Sequence, residues 1–435
     1  MPKKTKIIAT IGPASDSVTN IKSLMNKGVD VFRLNFSHGN HDTHKNNISN
    51  IKKAASSLDT NSCILADLQG PKIRTGMTQD NKVITLKKGS DVILTPANII
   101  CTPSLISISY NNLAKEVKIG QCIFIDDGKI LIKVKKKKKS DLICTVLKGG
   151  AISSRKGINI PEANLSISSI TKKDEKDLKF LLSKDVQYIA LSFVRKSEDI
   201  KKLVNIIKSA GKNIKVIAKI ETPEAVKNID AILDNCDGIM VARGDLGIEA
   251  SLEKVTIIQK DLINNANSKG KIVIVATEML ESMIDKPRPT RAEASDITNA
   301  ILDGTDCIML SGETSIGKYP SESVSFMSKI AENTEESEYY KKSFLDLHLK
   351  NHNPSHTIAE SAAHASQDQG GIPIIVFTLS GNTAFYLSKI RAQGKIFAFS
   401  PNRQAISMLS IAWNTKAFHI EFSSDLVKLQ KLAEN

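Results

Sequence analysis

The sequence predicts an α/β protein built on a closed (β/α)8 TIM barrel, with a small all-β lid domain inserted into it and an α/β domain after it. Three observations predict this. Eight near-continuous apolar runs recur along the first three quarters of the chain, and plausible amphipathic helices separate most of them. Runs of that kind suit parallel strands covered on both faces. The rhythm breaks once, between Gly70 and about Ser168, where short alternating strands and turns take over. Polar residues gather at the ends of the apolar runs, where a barrel keeps its active site. A doubly wound open sheet is the second arrangement open to the same elements.

In order, the runs are KIIATIG (6–12), VDVFRLNFSHG (29–39), CILADLQGPK (63–72), VQYIALSFVRK (186–196), IKVIAKIETPE (214–224), GIMVARGDLG (238–247), KIVIVATEML (271–280) and CIMLSGETSIGKYP (307–320). Helical stretches such as KSEDIKKLVNIIKSAG and EKVTIIQKDLINNANSKG stop at Gly211 and Gly270, which suit a left-handed helix end. Thr290 and Glu293 have the spacing of a capping box. The inserted domain spans 71–168, and the barrel takes 1–70 and 169–336. After the eighth run, the polar stretch 334–356 reads as a linker. Three strand-helix units follow, and the C-terminal domain, 337–435, ends abruptly.

The formal net charge of +14 on 435 residues raises nucleic-acid binding as a function class. The densest run, KVKKKKKSD (133–141), lies between two strand-like segments and reads as a solvated hairpin tip. Aromatic residues are sparse and do not interleave with the basic ones, which argues against a single-strand stacking surface. No nucleic-acid partner is expected, and the basic balance suits anionic small substrates instead. The apolar run before Gly12 and Pro13 is too short for a signal-peptide core, and no segment is long enough to cross a membrane. Six scattered cysteines without a C-x-x-C pair read as free thiols in a reducing, cytoplasmic compartment.

The run GIMVARGDLGIE starts as a buried strand and ends in Arg243, Gly244 and Asp245. A turn would explain that ending alone. The other runs end in a similar way. By period-two alternation Arg33, Asn35 and Ser37 share one face, as do Lys219 and Glu221. Asp67 and Thr277 close two further strands, Ser192 and Arg195 lie at the end of the fourth, and Ser311 and Glu313 at the end of the eighth. Each alone could be a structural ion pair, but polar residues at seven strand ends point to one site. Glu221 and Asp245, on consecutive strands, can give two carboxylates to one Mg²⁺. Gly244 and Gly247 would let a ligand approach the backbone closely. Lys219, Arg33 and Arg74 supply positive charge for phosphoryl oxygens. No Walker A pattern is present, so a P-loop is not the phosphate holder.

Taken together, TKIIATIGPAS, RLNFSHG, DLQGPKIRTG, KGINIP, LSFVRK, AKIETPEA, MVARGDLGIE, ATEMLESM, PRPTRAEASDITNAILDGTDCIMLSGET and GKYP resemble the pyruvate kinase family along essentially the whole chain. The resemblance implies transfer of a phosphoryl group from phosphoenolpyruvate to ADP, giving pyruvate and ATP as the last step of glycolysis. Glu221 and Asp245 are similar to the family's Mg²⁺ ligands, with Mn²⁺ as a substitute. Lys219 resembles the lysine that stabilises the phosphoryl group in transfer, Arg33 the arginine on the substrate phosphate, and Ser192 its neighbour. The backbone of Ala242, Arg243 and Gly244 would receive the substrate carboxylate. Thr277 resembles the residue at the methylene face of the enolate, where it helps relay a proton. Asn35, His38, Arg74 and Lys156 resemble nucleotide contacts, with Lys156 on a domain that closes as a lid.

Two departures stand out. Many family members bind K⁺ at positions matching Asn35, Ser37, Asp67 and the Leu68 carbonyl, with Glu at the position of Lys72. Here the lysine ammonium is expected to take the place of the cation beside Asp67 and to remove a K⁺ requirement. Glu278 stands where Gln or Met is common. The loop TLSGNTA, with Thr378, Ser380, Asn382 and Thr383, resembles the family's effector-phosphate loop, although Asn382 replaces a basic residue. The resemblance implies a homotetramer, and the short C-terminus leaves a dimer open. The competing readings are a catalytically idle homologue and another barrel enzyme acting on phosphoenolpyruvate. The intact Arg33, Lys219, Glu221, Asp245 and Thr277 set argues against the first, and the lid with its Arg74–Lys156 pair against the second.

Overall fold

The structure is a computed structural model; it describes residues 3–342 apart from 162 and 164, and 354–431 apart from 426 and 430. Eight parallel strands close into a barrel in chain order: Lys6–Thr10, Val31–Asn35, Ile64–Asp67, Tyr188–Leu191, Lys215–Ile220, Gly238–Ala242, Ile272–Ala276 and Cys307–Leu310. The last strand pairs with the first, Lys6 opposite Cys307, so the open-sheet arrangement is excluded. Alternation along each strand divides the buried side chains. Ile8, Val31, Leu65, Tyr188, Ile217, Met240, Ile274 and Met309 belong to one cluster, while Ile7, Phe32, Ile64, Ile189, Val216, Ile239, Val273 and Ile308 pack with the helices in another. The parity of the first cluster continues to the strand ends as Arg33, Asp67, Ser192, Lys219 and Glu221. One alternation therefore fills the barrel and furnishes its mouth.

Helix ends follow their sequence signals. Gly211 and Gly270 both sit at φ 65, and Thr290 with Glu293 closes a capping box on the helix Arg291–Leu302.

The inserted domain has its own core and a seven-stranded sheet in the order Ile73–Arg74, Gly157–Asn159, Cys122–Ile125, Ile130–Lys138, Asp141–Lys148, Asp91–Thr95 and Leu105–Ser107. Ile130–Lys138 and Asp141–Lys148 form an antiparallel hairpin with Lys139 at φ 52 in its tip. Ile132 and Val134 point into the core, and the lysines between and beyond them face solvent or the rim. The basic run is the outer face of a hairpin.

The C-terminal domain is a parallel sheet of Ile374–Phe377, Ile396–Ser400 and Thr415–His419 with helices Pro354–Asp368, Asn382–Lys389 and Arg403–Leu409. It docks at the end of the barrel where the strands begin. There Lys389 Nζ lies 2.7 Å from Asp306 Oδ2 and donates to Asn267 Oδ1 at 2.7 Å, and Arg391 lies 3.0 Å from Asp306 Oδ1. Tyr188 donates to the Met408 carbonyl at 2.9 Å. Trp413 is buried in the same joint, with Lys4 Nζ 5.4 Å and the Arg391 guanidinium 4.8 Å from its ring centre. The described parts of the stretch expected to be a linker, 334–342 and 354–356, are mostly helical. The helix Pro320–Glu336 runs into it, Glu338–Lys342 forms a further turn, and Tyr340 packs into the barrel's main core. Residues 343–353 of that stretch lie outside the described residues. So, in part, does the helix expected after Thr415–His419. Among the described residues no helix is long and apolar enough to cross a membrane.

Candidate active site

At the barrel mouth the buried residues form one charge cluster. Arg33, at the end of the second strand, donates from Nε to Asp67 Oδ2 at 2.8 Å and from a terminal nitrogen to Thr10 Oγ1 at 2.9 Å. Lys219 Nζ contacts Ser192 Oγ at 2.8 Å, Glu221 Oε1 at 2.9 Å and Asp67 Oδ1 at 3.3 Å. The Ser192 hydroxyl donates in turn to the Leu68 carbonyl at 2.7 Å. The Phe193 amide donates to Glu221 Oε2 at 2.6 Å. Phe193 makes that contact from φ 53, a left-handed conformation at a strand end.

Burial opposes every charge here, and the partners decide which charges survive. Burial would lower the pKa of Lys219, but Asp67 and Glu221 outweigh it and hold it above the ordinary lysine value. Burial would raise Asp67, but Lys219 and Arg33 keep it below the ordinary range. Glu221 goes the other way. Burial raises it, Lys219 lowers it, and the nearby Asp245 carboxylate raises it again, with a net upward shift. A divalent cation between Glu221 and Asp245 would relieve that repulsion, so this pair fits an Mg²⁺ site of the two-carboxylate kind. Among the described residues no group of three or more His, Cys, Asp or Glu side chains forms a rival metal cluster.

Lys72 departs from its expected place. Its ammonium lies 2.9 Å from Asp245 Oδ1 and 3.9 Å from Asp127 Oδ1 rather than beside Asp67. The physical reason is that Asp67 already has two cations, Arg33 and Lys219, whereas among the described residues Asp245 has none closer than Lys72. Gly157 makes the reach possible, because a Cβ there would stand 2.9 Å from Lys72 Cε. Asn35 and Ser37 form a local turn in which Asn35 Oδ1 accepts the Ser37 amide at 3.0 Å.

The lid brings Arg74 and Lys156 together. Gly157 pairs with Arg74 across the sheet, the backbone of Lys156 bonds Thr75, and Lys156 Nζ sits 2.9 Å from Asp126 Oδ1. Partial burial, then Arg74 and Arg33, lower the pKa of His38, so these three predicted residues share one electrostatic environment. Arg195 lies apart from the cluster. Its guanidinium donates to the carbonyls of Leu165 and Ile167, where the chain returns from the lid.

The helix Arg243–Ala250 starts directly after the sixth strand and carries Asp245 in its first turn. The Gly244 amide, expected to face substrate, donates to Thr277 Oγ1 at 2.8 Å. Thr277 and Glu278 stand at φ 70 and φ 55, which for a β-branched threonine is a strained backbone. The Arg243 side chain holds that strain in place. It donates to the Thr277 carbonyl at 2.7 Å and the Glu278 carbonyl at 3.2 Å, while Asp296 pairs with it at 2.6 Å. Sequence reading valued only the backbone of Arg243 and missed its side chain. It also missed Glu249, although the D-x-x-x-E spacing after Asp245 places both on one helical face. Burial, then the Asp245 and Glu221 carboxylates, push Glu249 up to about 7 against the hydrogen bond from Asn159.

Far from the mouth, the loop before the helix Asn382–Lys389 caps itself. Thr378 Oγ1 accepts the Gly381 amide at 3.0 Å and Ser380 Oγ the Asn382 amide at 3.4 Å. The structure does not bring these residues near the barrel-mouth cluster; Thr383 follows in the first turn of that helix.

Fold and site together define a barrel enzyme equipped for an anionic substrate beneath a lid. The model of the pyruvate kinase barrel domain matches residues 2–324, and that of the pyruvate kinase alpha/beta domain matches 356–434. The chain is 44% identical over 424 residues to pyruvate kinase 2 of Synechocystis sp., covering 96% of this chain and 70% of that protein. It is 43% identical over 417 residues to a pyruvate kinase of Staphylococcus aureus, covering 95% and 71%. A crystal structure of a pyruvate kinase from Cryptosporidium parvum superposes with a TM-score of 0.93 at 38% identity, covering 99% of this chain and 90% of that one. The chain belongs to the pyruvate kinase family, the glycolytic phosphotransferases.

Proposed function

We propose that this protein transfers the phosphoryl group of phosphoenolpyruvate to ADP in an Mg²⁺-dependent reaction that yields pyruvate and ATP. The observation that carries this reading is the largely buried cluster of Arg33, Asp67, Ser192, Lys219 and Glu221 at the barrel mouth. Glu221 and Asp245 would hold the Mg²⁺, which when bound neutralises phosphoryl charge. Lys219, kept protonated by its two carboxylates, offers a fixed positive charge to the phosphoryl group in transfer. Arg33 binds the substrate phosphate with Ser192 beside it, and the start of the helix at Ala242, Arg243 and Gly244 receives the carboxylate. Thr277, whose Oγ1 accepts the Gly244 amide at 2.8 Å until the carboxylate takes that amide, would stand at the methylene carbon, where protonation of the enolate makes pyruvate. Asn35, His38, Arg74 and Lys156 bind the nucleotide, and the lid excludes water on closing. Thr378, Ser380, Asn382 and Thr383 are the effector-phosphate candidates. The setting is cytoplasmic and the assembly a homotetramer.

Lys72 brings a permanent cation to the carboxylates at the mouth, so no K⁺ requirement is expected, with Asp245 as its partner rather than Asp67. The test is pyruvate formation from phosphoenolpyruvate and ADP with Mg²⁺, with and without K⁺, for the wild type and Lys72→Glu. Activity of the wild type in both salts, with K⁺ dependence gained in Lys72→Glu, is the expected result. K⁺ stimulation of the wild type beyond a few-fold would remove the role given to Lys72. No ADP-dependent pyruvate in either salt would overturn the reaction itself.

A further inference from the structure

Lid and barrel meet at a second polar contact besides Lys72. Asn159, only 3% exposed at the end of the lid strand Gly157–Asn159, donates from Nδ2 to Glu249 Oε1 at 2.8 Å. Glu249 lies one turn beyond Asp245 on the helix Arg243–Ala250, so the two carboxylates share a face. Lys72, at the root of the lid, takes the first; Asn159 takes the second. Two side chains from the lid thus grip one face of one barrel helix, one turn apart. The gripped strand directly follows Lys156, whose backbone is tied to Thr75 in both directions. The pair also stands between two cavities, of about 1130 Å³ and 660 Å³, each lined by Lys72, Pro161, Pro223 and Glu249. Among the described residues the buried Asn159 Oδ1 has no hydrogen-bond partner, a cost a packing residue would not incur.

The geometry points to Asn159 and Glu249 as a clasp: positioning residues through which the lid sets the helix that bears Asp245. What the clasp needs from Glu249 is an acceptor oxygen, not a charge. A surface contact of no consequence would tolerate either loss. The kinetic side of this inference rests on the phosphoryl-transfer reading above; the lid-contact side does not.

The experiment uses the full chain as wild type, Glu249→Ala, Glu249→Gln and Asn159→Ala. Amide hydrogen exchange is followed without substrate, and pyruvate formation is followed with it. In Glu249→Ala and Asn159→Ala, exchange across Gly157–Asn159 and Ile73–Arg74 is expected to speed up about tenfold, the loss of one hydrogen bond. Exchange in the barrel strand Ile272–Ala276 stays unchanged. The same two variants lose about tenfold in kcat, with a smaller change in KM for phosphoenolpyruvate. Glu249→Gln, which keeps an acceptor for Asn159, restores both readouts. Lid exchange equal to wild type in both alanine variants would overturn the clasp, as would a Gln variant as defective as Ala. Faster exchange throughout the barrel would overturn it too, by showing a fold defect. A wild type that makes no pyruvate would remove the reaction reading, and the exchange data would still decide the clasp.

Discussion

Asp67 carries more of the site than its size suggests. One carboxylate, wholly enclosed, is the counter-ion of both Arg33 and Lys219. Breaking a buried pair by removing one partner strands the other charge, and here Arg33 would be stranded while Lys219 would keep only Glu221. Asp67→Asn is therefore expected to lower stability by about 3–5 kcal/mol at neutral pH. The sign of its pH dependence follows from the lowered folded-state pKa. The contribution is fully present above the ordinary carboxylate value of 3.8 and is lost as pH falls through the lower folded value. Urea melts of wild type and Asp67→Asn should therefore differ fully at pH 5–7 and converge only below about 3.8. A gap that stays constant into acid would show that Asp67 acts by shape alone. At this scale the sequence was partly legible. Alternation along VFRLN and KVIAKIE places Arg33, Lys219 and Glu221 on the mouth, because strand period is a local property. The direction of Lys72 was not legible, since it depends on how a separate domain lies over Gly157 and Asp245.

At the scale of elements, the helix Arg243–Ala250 and the strand end at Thr277 and Glu278 work as one piece. Arg243 is the joint: its fork reaches two successive carbonyls of a strained segment and an aspartate on the helix Arg291–Leu302. A lysine has the charge without the fork. Arg243→Lys is expected to cost about 1–3 kcal/mol of stability. It should also lower kcat by about 10- to 100-fold through misplacement of Thr277, with KM for phosphoenolpyruvate changed far less. Steady-state kinetics beside thermal melts would check this, and an unchanged kcat would detach Arg243 from the chemistry. Element types and most ends were readable because their signals are local: apolar runs, glycine stops and a capping box. The left-handed residues Phe193, Thr277 and Glu278 carry no such signal. Nothing in a threonine announces φ 70; only the surrounding bonds impose it.

At the scale of the whole molecule, three bodies meet at the two ends of one barrel. The lid works at the mouth, and the C-terminal domain is bolted to the opposite end by Lys389, Arg391 and Asp306. Burial pulls Lys389 down to about 8 even with Asp306 beside it, a measure of how enclosed that joint is. Lys389→Met is expected to destabilise the protein by about 3–5 kcal/mol, because it takes one of two cations from an enclosed aspartate. Calorimetry should then show the C-terminal domain melting as a separate, earlier transition. A single, unshifted transition would mean the joint is held by packing alone. The three-body plan was legible from the change of rhythm at Gly70 and its resumption after Ser168. The joint was not, because Asp306 and Lys389 are far apart in sequence and ordinary in type.

The joint also contains the chain's single tryptophan, Trp413, enclosed between Lys4 and Arg391. Indole emission from this protein therefore comes from one known place at the foot of the barrel. A ligand that shifts the C-terminal domain should change its colour or intensity. Turnover and lid movement at the mouth should leave that emission unchanged. The molecule carries a built-in optical gauge that separates events at the foot of the barrel from events at its mouth.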